Sequence, residues 1–200
     1  KNNIPLLLDG CQFVPHKKIN LKEIDPDFYV FSAHKLYGPS GLGILYMKDK
    51  WIDRLSPYQG GGSMIKEVEI EKSSYLEGYG KFEAGTPPIA QVIGLNACID
   101  FINEIGIENI YSHENKLTKY AYKKLKNLKS NNIQIHCNPL NVNSILSFSL
   151  DGINANDIGI LLNNKNIAIR TGHHCAQPLM KKLDITGSAR LSFGIYNNYD

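Results

Sequence analysis

Four short stretches of this chain carry residue types that could do chemistry. The first is Asp9-Gly10-Cys11-Gln12, which follows the apolar run Ile4–Leu8. In an open α/β sheet, ligands sit outside the carboxyl ends of strands, so a carboxylate there can meet a cationic ring nitrogen. Asp-Gly alone is equally ordinary turn chemistry. The second is Ser32-Ala33-His34-Lys35-Leu36-Tyr37-Gly38-Pro39, after the apolar run 28–32. A lysine in such a loop is the pattern of a Schiff-base lysine, which reacts as the neutral amine and so works beside burial and tuned charge. Ser32 and His34 can donate hydrogen bonds to a phosphate. The bland alternative is a surface lysine that follows a strand.

The third stretch is Arg170-Thr171-Gly172-His173-His174-Cys175-Ala176-Gln177-Pro178-Leu179. A cysteine just ahead of a helix, with Arg and His beside it, favours the thiolate form of a nucleophile. The alternative is a plain structural cysteine, although Arg, His, His and Gln make poor surroundings for an apolar core slot. Three consecutive ligands make poor metal geometry, and no second cluster stands elsewhere in the sequence, so no metal site is expected. The fourth is Arg190 in Ser188-Ala189-Arg190-Leu191-Ser192-Phe193. Its planar fork can grip a carboxylate through two hydrogen bonds, or simply form a surface salt bridge. Arg54, Arg170 and Arg190 are the only arginines in a chain whose basic residues are otherwise lysine. Lysine cannot reproduce that fork.

These residues need a scaffold. Short continuous apolar runs at 4–8, 28–32 and 42–47 predict strands covered on both faces. Residues 64–72 predict a hairpin arm or an irregular excursion. Pro87 and Pro88 open a helical pattern to Ile105, where Gly106 ends it. A second helix is expected over 107–128. Strands are expected at 133–137, 144–150, 167–170 and 189–193, with a helix at 155–163. The sum is an α/β chain in two parts. Residues 1–90 form the C-terminal part of a larger sheet domain. Residues 91–200 form a smaller α+β domain, with the 87–105 helix as the link.

Composition narrows the function classes. The net charge is +3 over 200 residues, and no block of five or six basic residues occurs, which argues against nucleic acid as a partner. No apolar run reaches the roughly 18 residues of a membrane helix. Cys11, Cys98, Cys137 and Cys175 form no CxxC pair, which points to a reducing compartment, cytoplasmic or alternatively plastid. The chain opens on Lys1 and runs almost at once into its first motif. That is the pattern expected of a piece with an N-terminal part ahead of it.

Taken in order, Asp9-Gly-x-Gln12, Ser32-x-His34-Lys35-x-x-Gly38-Pro39, Gly60-Gly61-Gly62-Ser63-Met64-Ile65, Phe82-Glu83-Ala84-Gly85-Thr86-Pro87, Arg170-Thr171-Gly172-His173-His174-Cys175 and Arg190 resemble the class V aminotransferase family. They look most like group II, SUF-type cysteine desulfurases. The resemblance covers nearly the whole chain and matches the C-terminal half of the family pattern. It implies a fold type I pyridoxal 5'-phosphate (PLP) enzyme and a homodimer. Asp9 would pair with the pyridine nitrogen, Gln12 would touch the ring oxygen, and Ser32 and His34 would hold the phosphate. Lys35 would bind the cofactor covalently, and Thr86 would reach the phosphate of the partner subunit's cofactor. Arg190, with Arg170 nearby, would bind the carboxylate of L-cysteine, and Cys175 would accept its sulfur. A small sulfur-acceptor protein would then carry the sulfur toward iron–sulfur cluster assembly. A selenocysteine lyase and a non-catalytic PLP-fold scaffold are the alternatives. The family's ring-stacking residue, its substrate asparagine and its phosphate loop would lie upstream of Lys1. Its final helix would follow Asp200.

Overall fold

The computed structural model describes residues 4–128, 132–138 and 144–199. The chain divides into two compact units, Lys1–Ile107 and Glu108–Asp200.

The first unit is built on a three-stranded sheet of order β1-β2-β3, with β1 at Leu7–Asp9, β2 at Phe28–Ser32 and β3 at Gly43–Met47. β1 runs parallel to β2 with Asp9 opposite Val30, and β3 runs antiparallel to β2. Side chains alternate across a strand, so this register puts Asp9, Val30 and Ser32 on one face and Leu8, Tyr29 and Phe31 on the other. The first strand starts later than its apolar run. Leu6 instead joins the β2 entrance: its N–H donates to Asp27 Oδ2 at 3.0 Å, and its carbonyl accepts from Asp27 N and Phe28 N.

Asp27 is a junction in this unit. It is buried and also accepts from the Trp51 indole at 2.8 Å and from Lys50 Nζ at 2.6 Å. The apolar runs are not covered on both faces within this chain, because Leu7 is 56% and Leu45 52% exposed. The helix α1 (Leu21–Ile24) is capped by the Asn20 side chain, which accepts from Lys22 N. The excursion after the glycines is a hairpin, β4 (Ile65–Val68) and β5 (Ser73–Tyr75).

Helix α2 spans Ile89–Ile105. It is apolar on several sides, with Cys98 and Ile102 buried and Ile93 66% exposed. Two of its residues meet the lysine loop. The Cys98 thiol donates to the Leu36 carbonyl, and a side chain at Gly94 would come within 3.3 Å of Pro39.

In the second unit, α3 (Ile107–Lys126) buries Ile110, Glu114, Leu117 and Thr118, the spacing of one helical face. An antiparallel sheet of order β6-β7-β9-β8 follows, from β6 (Ile133–Ile135), β7 (Ile145–Leu150), β8 (Arg170–Gly172) and β9 (Ser188–Ser192). One face carries Phe148, Ala189 and Leu191. These join Ile158 of α4 (Ala155–Asn163) in the core, with Ile133, Ile135 and Leu162 around them. Gly159 lets α4 approach β8, since a side chain there would lie 2.9 Å from Thr171 Cγ2. The strand expected at 167–170 starts three residues later. Asn166 turns the chain at a φ of 59°, and Ile167 N–H bonds back to the Leu162 carbonyl, so the ladder opens only at Arg170. A short helix, α5 (Gln177–Lys182), follows Cys175 with Pro178 in its first turn.

Candidate active-site clusters

Each unit carries one cluster. In the first, the parallel β1–β2 pair delivers Asp9 and Ser32 to neighbouring strand ends on one sheet face. Asp9 Oδ1 accepts from Cys11 N–H at 2.9 Å, and Cys11 Sγ lies 3.8 Å from Ser32 Oγ. The Cys11 backbone, its thiol and the charge of Lys35 together hold the Asp9 carboxyl below its ordinary range, so it is ionised near neutral pH.

Gly10 is required at the turn. Tyr29, buried beneath it, fills the space where a side chain would go, its phenol oxygen overlapping the position of a Cβ. Burial, and then the charge of Asp9, push the Tyr29 phenol up.

His34 and Lys35 sit on a 3-10 turn, Ala33–Leu36, that ends at Tyr37 with a φ of 61°. Gly38 closes it through a hydrogen bond to the Ala33 carbonyl, so near that a Cβ there would lie 2.9 Å from that oxygen. The turn is anchored by buried Ala33 and Leu36 and leaves both His34 and Lys35 exposed. Gln12 is exposed on the turn after β1. Thr86 is exposed ahead of α2, following Gly85, whose N–H donates to the Gly62 carbonyl at 2.7 Å. Among the described residues no hydrogen bond joins Thr86 to Asp9, Ser32 or Lys35.

The second cluster lies on the sheet face opposite the α4 core. Arg170 and Arg190 stand directly opposite each other on β8 and β9, and Gly172 opposes Ser188. Arg190 Nε donates to Ser192 Oγ at 3.2 Å, and an Arg170 terminal nitrogen donates to Cys175 Sγ at 3.6 Å. Cys175 is exposed in a cleft lined by Arg170, His173, His174 and Gln177. The backbone there is unusual: His174 and Cys175 both take left-handed conformations, with φ of 55° and 60°. Sequence reasoning missed the partner of the His174 ring, because Ser188 is 14 residues away. His174 Nε2 lies 3.0 Å from the Ser188 carbonyl and 2.9 Å from its hydroxyl. Burial leads in lowering the affinity of the His174 ring for a second proton, and Arg190, Arg170 and His173 add to it. All four cysteines are free thiols. Among the described residues no group of three potential metal ligands occurs, and no helix is long and apolar enough to cross a membrane.

A sheet with a lysine loop at its strand ends, joined in one chain to a cysteine loop beside two arginines, corresponds to a known group. The family model for "Aminotransferase class-V" matches residues 1–200, and the chain belongs to that family. The cysteine desulfurase of Wigglesworthia glossinidia brevipalpis is 45% identical over 201 residues, which cover 99% of this chain and 48% of that protein. Among solved structures, a cysteine desulfurase from Thermococcus onnurineus NA1 superposes with a TM-score of 0.90 at 36% identity, over 96% of this chain and 48% of that one. The cysteine desulfurase CsdA of Escherichia coli, in an S-sulfonic acid form, gives 0.90 at 37% over 98% and 48%. The chain thus spans about half the length of the relatives it matches. The expected α/β architecture of the family is borne out over that half.

Proposed function

We propose that this chain supplies the lysine and cysteine machinery of a PLP-dependent cysteine desulfurase. The reaction moves sulfur from L-cysteine to Cys175 and leaves L-alanine and a Cys175 persulfide. The observation that carries this reading is the second cluster: an exposed thiol, fixed in a strained loop, with one guanidinium touching its sulfur and a second on the same sheet face. The class V matches, with relatives printed as cysteine desulfurases, support it.

The first cluster fits PLP by its chemistry. An ionised Asp9 matches a protonated ring nitrogen, Lys35 offers an amine whose charge is felt at Asp9, and Ser32 offers a hydroxyl at the next strand end. PLP, when bound, withdraws electron density from the substrate Cα. Asp9, by remaining ionised, would keep a proton on the ring nitrogen. Lys35 would hold the cofactor and would take the proton from the substrate Cα. Gln12 would be the partner of the ring oxygen, and His34 with Ser32 would hold the phosphate. Arg190, helped by Arg170, grips the substrate carboxylate by paired hydrogen bonds. The Cys175 sulfur attacks the substrate sulfur. The bond from that sulfur to Cβ breaks with its electron pair passing to carbon, which takes up a proton. Cβ is thus reduced by two electrons while the sulfur pair is oxidised by two to the persulfide, and no outside oxidant is needed.

In a homodimer, Thr86 would hold the phosphate of the cofactor in the second subunit. A small acceptor protein then draws the persulfide sulfur toward iron–sulfur assembly.

The test is to incubate the complete protein with PLP and L-cysteine and locate added sulfur by mass. A gain of one sulfur atom on Cys175, with alanine released, is expected. Sustained sulfide release by Cys175→Ala on L-cysteine would remove the role of Cys175.

A further inference from the structure

The loop that holds Cys175 is tied to β9 through the His174 ring. Two consecutive residues other than glycine, His174 and Cys175, adopt left-handed backbone conformations. L side chains rarely do so, and a pair in sequence persists only where surrounding contacts determine it. The Ala176 N–H closes the turn on the His173 carbonyl at 2.9 Å, and the side-chain contact from the turn to β9 is the His174 ring. Its Nε2 meets the Ser188 carbonyl, which can only accept, so Nε2 carries the proton and Nδ1 the lone pair. Ser188 is 1% exposed at the start of β9, so the anchor point is buried in the sheet. Ser188 and Arg190 share a strand face, and Arg190 opposes Arg170, which touches Cys175 Sγ. Nδ1 is sealed from solvent with no partner among the described residues, so the ring is held at one end only.

We propose that His174 is a positioning residue for the Cys175 nucleophile: fastened to Ser188, it holds the left-handed kink that keeps the Cys175 sulfur at Arg170. The inference rests on the desulfurase reading for its consequence, but not for its geometry. Losing the anchor lets the kink relax to an unstrained backbone, and the sulfur leaves the guanidinium. Substrate binding and proton removal at Cα, which use Lys35 and Arg190, do not depend on this kink.

The experiment compares the complete protein with His174→Phe, which keeps an aromatic ring, somewhat larger, and removes the donor, and with His174→Gln, which restores an N–H at about the same reach. Two quantities are read on the PLP-loaded enzyme with L-cysteine: deuterium exchange at the substrate Cα in heavy water, and persulfide on Cys175 by mass. Expected is at least a tenfold slower persulfide formation in His174→Phe, with exchange changed less than twofold, and recovery in His174→Gln. Equal loss of both quantities, or an unchanged persulfide rate, overturns the proposal.

A second readout, the iodoacetamide alkylation rate of Cys175 relative to Cys11, needs no turnover. A several-fold change in that ratio for His174→Phe, reversed by Gln, supports the proposal, and an unchanged ratio overturns it. If wild-type enzyme forms no persulfide, the desulfurase reading fails, and the alkylation ratio alone then decides the role of His174.

Discussion

Arg170 and Arg190 face each other as a directly opposed pair across the β8–β9 ladder. Like charges opposite one another cost about 0.2–1 kcal/mol relative to a neutral pair. Burial and the charge of Arg170 both disfavour the charged form of Arg190. Such a pair is stressed until an anion sits over it, as expected of a carboxylate subsite.

Replacing Arg170 with Gln should therefore leave the thermal midpoint of the substrate-free protein unchanged or slightly raised. Replacing Arg190 with Ala should raise KM for L-cysteine by at least tenfold, since a charge-assisted hydrogen bond contributes about 1.5–3 kcal/mol. Calorimetry and steady-state kinetics check the two halves. A lower melting temperature in Arg170→Gln with an unchanged KM in Arg190→Ala would show a structural pair and no anion subsite.

Gly10 and Tyr29 make a second testable pair. The phenol ring lies where any Gly10 side chain would go. Gly10→Ala should lower stability by about 1–3 kcal/mol, the usual range for overpacking a filled site. Most of that loss should vanish in a Tyr29→Ala background, because residues in contact couple rather than add. Urea unfolding of the four proteins of this cycle gives the answer, and additive losses would mean that the ring is not the obstacle.

Much of the scaffold is legible in the sequence because local rules set it. Apolar runs marked β2 and β3, Gly106 ended α2, and Asp9 and Ser32 could be read as strand-end residues from what preceded them. What escaped is nonlocal. Ser188 becomes an anchor for His174 only once β8 and β9 pair, and neither residue type signals that contact. The β8 start slipped because the turn at Asn166 and the Ile167 bond to Leu162 take up residues whose apolar pattern reads as strand. Leu7 and Leu45 carried the pattern of doubly covered strands, yet lie more than half exposed here. Periodicity reports what a strand is suited to and does not identify what covers it.

Lys35 separates the two clusters experimentally. It neighbours Asp9 in charge, and Cys175 belongs to the other unit's loop. Lys35→Ala should cut turnover on L-cysteine by about 10²–10⁴, the range for a lost general acid–base group. The alkylation rate of Cys175 in the same variant, without substrate, should stay within twofold of wild type. Comparable losses in both would mean that the substitution disturbs the fold beyond its loop.

The Asp27 junction predicts how the first unit responds to acid. Its carboxylate takes hydrogen bonds from Lys50, Leu6 N–H and Trp51, in that order of effect, and these hold it well below the usual carboxylate range. A group whose folded affinity for protons is depressed stabilises the fold above its unfolded pKa, about 3.9 for Asp. That contribution is lost progressively as pH falls below this value toward the lower folded one. Resistance to urea should therefore drop on acidification through pH 4 and continue to drop below it. Asp27→Asn keeps the shape and an acceptor oxygen but cannot ionise, so it should be less stable than wild type at pH 7. The gap should narrow steadily below pH 4, where the unfolded wild-type chain takes up a proton at Asp27 that the folded chain does not. Urea midpoints of both proteins from pH 7 to pH 3, followed by fluorescence of Trp51, the only tryptophan, measure that gap directly. A gap that stays constant with pH would mean that shape, and not the charge of Asp27, holds β1, β2 and Trp51 together.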